Sequence, residues 1–206
     1  YCNYQGNIGG VESFAVKQQG AGFAITDHHD FCKPIKASDV EFGYDGKMYI
    51  ADYPTSPWKR DISGGRIYTI FDKTRLSEPV IAETRTLFQK GFRHRTTKEL
   101  ASLLHHDDMR VRLRAQFAIA ERGNASAEVF SQIATRDDNQ LARLHAIWGL
   151  GQIGRTAPTS KNLAPVIALL KDEDSEVRAQ SARVLGDAHF KPAAADLIDH
   201  ADFLNQ

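Results

Sequence analysis

The sequence predicts an α+β chain in which an antiparallel β-meander precedes an α-solenoid of paired helices. Three observations point there. Asp108-Met-Arg-Val-Arg112, Asn139-Gln-Leu-Ala-Arg143 and Asp174-Ser-Glu-Val-Arg178 repeat one pattern, their last arginines 31 and 35 residues apart. From Gly10 to Phe71 apolar residues alternate instead, and glycines punctuate the turns. Between these regions Val80, Thr84, Leu87, Phe88 and Phe92 fall at helical spacing. The expected organisation is therefore a β-rich region over residues 1–72, a connecting stretch over 73–95 with one helix, and a solenoid over 96–206.

In the β-rich region, Val11 to Val16 alternates, Lys17-Gln-Gln-Gly20 turns the chain, and Gly22 to Thr26 returns as a partner strand. Val40-Glu-Phe42 and Lys47-Met-Tyr-Ile-Ala51 flank Gly43-Tyr-Asp-Gly46, where Asp-Gly supplies the positive φ of a tight hairpin. Gly65-Arg-Ile-Tyr-Thr-Ile70 adds a further strand. Four or five strands taken in order make about one sheet. Its unpaired edges call either for packing on the solenoid or for a larger N-terminal domain, and the second is preferred.

In the solenoid, Thr96-Thr-Lys-Glu99 reads as a capping box that opens a helix with Leu100, Leu103 and Leu104 inward. Ser126 is expected to cap a second helix with Val129, Phe130 and Ile133 inward. Asn162 is expected to cap a third, placing Pro165 in its first turn, where the missing N–H costs little. Pro192 starts a fourth. The partner helices carry Val111, Ala115 and Ile119, then Ala142, Ala146 and Leu150, then Val177, Ser181 and Leu185, each set on one face. Gly123, Gly154 and Gly186 stand near helix ends, where a left-handed cap is expected. No polar end cap follows the last pair, so the sequence predicts a piece of a larger protein. The repeated arginines are expected to bond the acidic turns of adjacent repeats. His105, His106, Asp107 and Asp108 are expected as solvated turn residues, His145 as a packed, hydrogen-bonded histidine, and Trp148 as inter-helix packing.

Lys plus Arg equals Asp plus Glu at 26 each, which leaves no electrostatic footprint for nucleic acid or anionic membrane. No apolar run approaches the ~20 residues of a membrane span. Without a Cys-x-x-Cys pair there is no zinc signature, and without Cys-x-x-Cys-His no attachment motif for c-type haem. Cys2 and Cys32 leave two readings open: a structural disulfide of an exported protein, or two thiols.

The wording of both halves resembles one family. Ser38-Asp-Val-Glu-Phe-Gly-Tyr-Asp-Gly-Lys-Met-Tyr-Ile-Ala-Asp-Tyr53, followed by Gly64-Gly-Arg-Ile-Tyr68, resembles the last blade of sugar-dehydrogenase-like β-propellers of the glucose/sorbosone type. Leu103-Leu-His-His-Asp-Asp-Met-Arg-Val-Arg-Leu-Arg-Ala-Gln-Phe117 and Arg143-Leu-His-Ala-Ile-Trp-Gly-Leu-Gly-Gln-Ile-Gly154 resemble the HEAT repeats that follow that propeller. The combination is similar to the membrane-bound dehydrogenases also described as PVC-type haem-binding proteins. The resemblance implies a β-propeller end followed by a HEAT-like α-solenoid, in a periplasmic or otherwise exported, membrane-associated protein. It implies a quinoprotein-like dehydrogenase of sugars or alcohols that uses pyrroloquinoline quinone (PQQ) and calcium. Electrons would pass to c-type haem in a separate cytochrome c domain. The partners it implies are the rest of the propeller and that cytochrome domain, or another protein.

This chain would be catalytically incomplete. The family's base, quinone-clamping and haem-ligating residues are not matched, and Tyr53 with Trp58 stands where an Asp-Trp pair is expected. Loops entering an innermost propeller strand would line its channel. That nominates His28, His29 and Asp39 as base candidates, and Asp30 and Lys36 for cofactor contact; the plain alternative is a solvated loop. No metal site is assigned. Asp45 reads as a turn residue and Asp52 as orienting the loop after it. The rival reading is a non-catalytic, protein-binding scaffold built on the solenoid.

Overall fold

The computed structural model describes residues 2–4, 9–19, 22–52, 65–156 and 160–201. They form two compact units, Tyr1–Arg85 and Thr86–Gln206. The first carries small antiparallel sheets and the second is helical, so the chain is mixed α+β as expected.

Among its described residues the first unit holds two sheets of three strands where the sequence suggested about one. β1 (Cys2–Tyr4), β2 (Gly10–Gln19) and β3 (Gly22–Cys32) lie in the order β1-β2-β3. β4 (Ala37–Phe42), β5 (Met48–Asp52) and β6 (Arg66–Ile70) lie in the order β4-β5-β6. Every neighbouring pair is antiparallel. Pro34 stands between β3 and β4 and has no N–H to donate to a ladder, which favours a break there. Val11, Ala37, Met48 and Ile50 form the buried centre, with Cys32, Ile35, Val40, Tyr68 and Ile70 packed around them. Met48 and Ile50 are two apart on β5, so period two delivers both to the same face.

The β4–β5 hairpin closes as the sequence predicts, with Gly43 N donating to Lys47 O at 2.8 Å. Only Gly46 takes the positive φ, at +76°, and a Cβ there would fall 2.5 Å from Ile81 Cδ1. Asp45 serves the turn through its carboxylate, which accepts from Lys47 N at 3.4 Å and Tyr49 Oη at 2.9 Å. The β2–β3 hairpin runs longer than the alternation suggested, pairing Val16 with Ile25 and Gln18 with Phe23. The expected turn at Gly20 lies outside the described residues.

α1 (Pro79–Lys90) is the connecting helix that the spacing predicts, with Thr84 and Leu87 buried. In the second unit α2 (Thr97–Leu103) pairs with α3 (Met109–Ala120), α4 (Ala127–Arg136) with α5 (Gln140–Thr156), and α6 (Ser160–Ala168) with α7 (Ser175–Asp187); α8 (Ala194–Ala201) follows. α5 is central and packs against α3, α4, α6 and α7. Its Ile147 and Leu150 are fully buried with Leu100, Phe130, Leu163 and Leu185.

The helix starts follow side-chain chemistry closely. Thr96 and Glu99 make the complete capping box. Asp108 accepts from Arg110 N at 2.8 Å, Asn139 from Ala142 N at 2.9 Å, and Asp174 from Glu176 N at 2.8 Å, each satisfying a first-turn amide. Three expectations need correction. Ser126 precedes α4 but donates its hydroxyl backwards, to Ile119 O at 2.7 Å and Gly123 O at 2.9 Å. α6 begins at Ser160, so Asn162 lies inside it, buried and donating to Asn124 Oδ1 at 2.7 Å, and Pro165 falls inside the helix. Of the three expected glycine caps only Gly123 has positive φ, at +65°; Gly154 lies buried within α5, and His189 takes the left-handed turn after α7, at φ +49°.

Candidate functional site

The residues nominated from the first unit stand on strands more than on loops. His28, His29 and Asp30 belong to β3 and Asp39 to β4, with Lys36 just before it. Successive strand residues point to opposite faces, so His28 and His29 diverge. His28 Nε2 meets Glu12 Oε2 at 2.9 Å, and His29 Nδ1 lies 3.2 Å from Asp27 O. Asp30 pairs with Lys33 Nζ at 2.6 Å, and Asp39 Oδ1 accepts from Val40 N at 2.9 Å. Lys36 N donates to Asp52 Oδ1 at 3.0 Å, so the Asp52 carboxylate holds the chain entering β4. The loop after Asp52, with Tyr53 and Trp58, lies outside the described residues. His28 bonds Glu12 and Asp30 stands opposite Glu12 in the ladder, so these two share a neighbourhood on β3, while Asp39 and Lys36 belong to β4 and its entry. Among the described residues no group of three His, Cys, Asp or Glu is placed to hold a metal.

The cysteines are also kept apart by register. Asn3 and Cys32 both face Val11 from opposite sides, which puts Cys2 and Cys32 on the two strands flanking β2. Two strand spacings amount to about 9–10 Å, beyond the ~7 Å that a disulfide spans between Cα atoms. The Cys32 thiol is free.

In the second unit the repeated arginines tie down turns. Arg112 Nη1 donates to His106 O at 2.7 Å and Asp107 O at 2.8 Å. Arg178 Nη1 does the same to Asp172 O at 2.7 Å and Glu173 O at 2.9 Å. Both therefore hold the turn of their own repeat, not of an adjacent one. The physical reason is proximity, because carbonyls after a helix end lack intrahelical donors and lie within reach. Arg143 follows the expectation. Its guanidinium grips Asp172 of the next repeat, while its Nε donates to Ala134 O at 2.9 Å. Burial would raise the Asp172 carboxyl, but hydrogen bonds from Arg143 and Asp174 N, with the charges of Arg143 and Arg178, hold it below the usual range. His105 Nε2 reaches Asp137 Oδ2 at 2.8 Å and Gln140 donates to Asp174 Oδ2 at 2.6 Å, extending the ties from turn to turn. His106 Nδ1 accepts from Asp108 N at 2.9 Å. His105 and Asp107 are exposed, as expected of turn residues, and His105 and Asp108 also make structural ties.

Behind the second helices runs a chain of amides and rings. His145, 3% exposed, donates from Nδ1 to Gln116 Oε1 at 2.8 Å, since an amide oxygen can only accept. Gln116 Nε2 donates to Gln152 Oε1 at 2.9 Å. The Trp148 ring stands edge-on to His145 at 4.9 Å, and its Nε1 donates to Gln180 Oε1 at 2.9 Å. Trp148 thus links α5 to α7, as packing, yet it is only half-buried and its outer surface faces a groove.

That groove has a volume of about 550 Å³. It runs across α3, α5 and α7 and is lined by Leu113, Gln116 and Phe117, by Trp148, Gln152 and Arg155, and by Gln180, Arg183, Val184 and Asp187. Its walls combine aromatic and aliphatic surface with amides and two guanidinium groups. Among the described residues its lining carries one carboxylate, that of Asp187.

A family model of HEAT repeats matches residues 127–202, the stretch from α4 through α8. The helical unit is HEAT-like. No curated protein matches the chain. In the HEAT-like unit, α3, α5 and α7 are the second helices of successive pairs, so the groove is a product of stacking. One signal of it stands in the sequence. Leu113 and Phe117 are four apart and form a second apolar stripe, offset from the buried Val111, Ala115 and Ile119.

Proposed function

We propose that the HEAT-like unit works as a protein-binding scaffold, with the groove across α3, α5 and α7 as its binding face. The observation that carries this reading is the groove itself. Its half-buried Phe117 and Trp148 stand beside Arg155 and Arg183, and aromatic residues and arginine are the types enriched where proteins meet. The inter-repeat ties support it as well, because they fix the spacing of the helices on which those side chains ride.

A second reading has one specific support. Residues 38–53 and 64–68 resemble a propeller blade, and β4-β5-β6 is an antiparallel meander joined in chain order, which is how blades are built. On that reading the chain belongs to an exported quinoprotein-like dehydrogenase that passes electrons to a c-type cytochrome. PQQ and calcium would bind to a complete propeller, and the HEAT-like unit would dock the partner. Both readings give the helical unit the same task.

The test is retention of proteins from an extract of the source cells. The wild-type chain should retain a discrete set, and Phe117→Ala with Trp148→Ala should lose it while circular dichroism keeps its helical signal. Equal retention by both, or none by either, would contradict the scaffold reading. Dye-linked alcohol oxidation that depends on added PQQ and calcium would decide for the second reading.

A further inference from the structure

We infer that the groove across α3, α5 and α7 takes a short, extended, acidic segment of a partner protein, with an apolar side chain seated against Trp148 and Phe117. The inference rests on the protein-binding reading and names the chemistry of the partner.

The arginines of the helical unit fall into two groups. Arg112, Arg143 and Arg178 are each committed to turns by hydrogen bonds. The two in the groove are not. Arg155 is exposed in the last turn of α5 and, among the described residues, has no hydrogen-bond or ion-pair partner. Arg183 reaches Asp187 only at 3.9 Å, with side chains 73% and 60% exposed, a pair of little strength. The cavity therefore offers two largely unspent guanidinium groups against one carboxylate, in a chain whose overall charge is balanced. Guanidinium forks match carboxylates in pairs of parallel hydrogen bonds, so acidic side chains are the complementary ligand.

Shape and amide chemistry narrow the partner further. Helices packed about 9–10 Å apart make three neighbours span roughly 20 Å, the reach of about six extended residues. An extended segment brings backbone carbonyls that need donors. Gln152 receives Gln116 on its oxygen, which leaves its Nε2 free to donate outward among the described residues. Leu113, Phe117, Trp148 and Val184 supply the apolar floor. A basic segment would meet like charge at both arginines.

The test is fluorescence anisotropy on the full chain with a fluorescein-labelled nonapeptide of Glu, Leu and Trp. Its version with Lys in place of Glu and a labelled nine-nucleotide oligothymidine are run beside it. The acidic peptide should bind about tenfold tighter than either comparison. Arg155→Glu with Arg183→Glu should weaken it by about tenfold or more, while Arg114→Glu, exposed on α3 but outside the groove lining, should leave it unchanged. Both groove arginines are exposed, so the reversed variant keeps its core, as its circular dichroism should show. No binding of the acidic peptide, equal binding of the basic peptide or the oligonucleotide, or an unaffected double variant would overturn the inference. If the wild-type chain still retains cellular proteins after that result, only the acidic specificity falls; if it retains none, the scaffold reading falls too.

Discussion

Burial, aided by the positive charge of Arg112, pushes the His145 imidazole down to about 4. The ring is therefore neutral at physiological pH and spends its Nδ1 proton on Gln116. In the unfolded chain the same ring titrates near ~6.5. Between those two values the unfolded state binds a proton that the folded state refuses, so stability falls as pH drops through that window and is unaffected above it. The loss is at most about 3 kcal/mol once the window is crossed. Urea unfolding should show a midpoint that declines from pH 7 to pH 4.5, and His145→Gln should flatten the decline. The carboxyls of Asp108 and Asp172 are held below their usual range and so contribute stability that is lost only at lower pH still. A midpoint flat across the window in the wild-type chain would contradict the burial of a neutral ring.

At the scale of elements, α5 is shaped by glycine as much as by its apolar residues. A Cβ on Gly149 would meet Phe130 Cζ at 2.3 Å, and one on Gly154 would meet Leu163 Cδ2 at 2.8 Å. These glycines let α4 and α6 pack closely on α5. Gly149→Ala should destabilise the chain by about 1–3 kcal/mol, because overpacking outweighs the better helix propensity of alanine. Gly186→Ala is the control, since nothing lies within 4 Å of its Cβ position, and it should gain up to about 1 kcal/mol. Urea denaturation of the two variants checks both signs. The same glycines show why helices were legible and their contacts were not. Capping depends on side chains a few residues apart, so the box of Thr96 with Glu99 could be read directly. Gly154 near a helix end resembles a cap in sequence, and only Leu163 from α6 makes it a contact point. Likewise the sequence places Arg112 and Arg178 correctly on helices, but the choice between an adjacent turn and their own depends on reach in space. In the β-rich unit, alternation located β2 to β6 and missed β1. It could not give the length of the β2–β3 hairpin, which cross-strand partners set, and so His28 to Asp30 read as a loop when they form strand.

For the whole molecule, the chain joins a small two-sheet unit to a HEAT-like unit whose second helices share one groove. The Leu113–Phe117 stripe is the local sign of that groove, and the rest of its lining is not marked in the sequence. Its walls come from residues as far apart as Leu113 and Asp187, and they meet because α3, α5 and α7 share one buried core, with turn-to-turn ties such as Arg143 to Asp172 beside it. The central claim is that this face, and not the outer row of first helices, receives the partner. Site-specific photo-crosslinking in the source cells tests it most directly, with a benzophenone amino acid replacing Gln152 in the groove or Glu128, exposed on α4. Discrete crosslinked species from position 152 and none from position 128 are predicted. Crosslinks from position 128 alone, or equal ones from both, would contradict it.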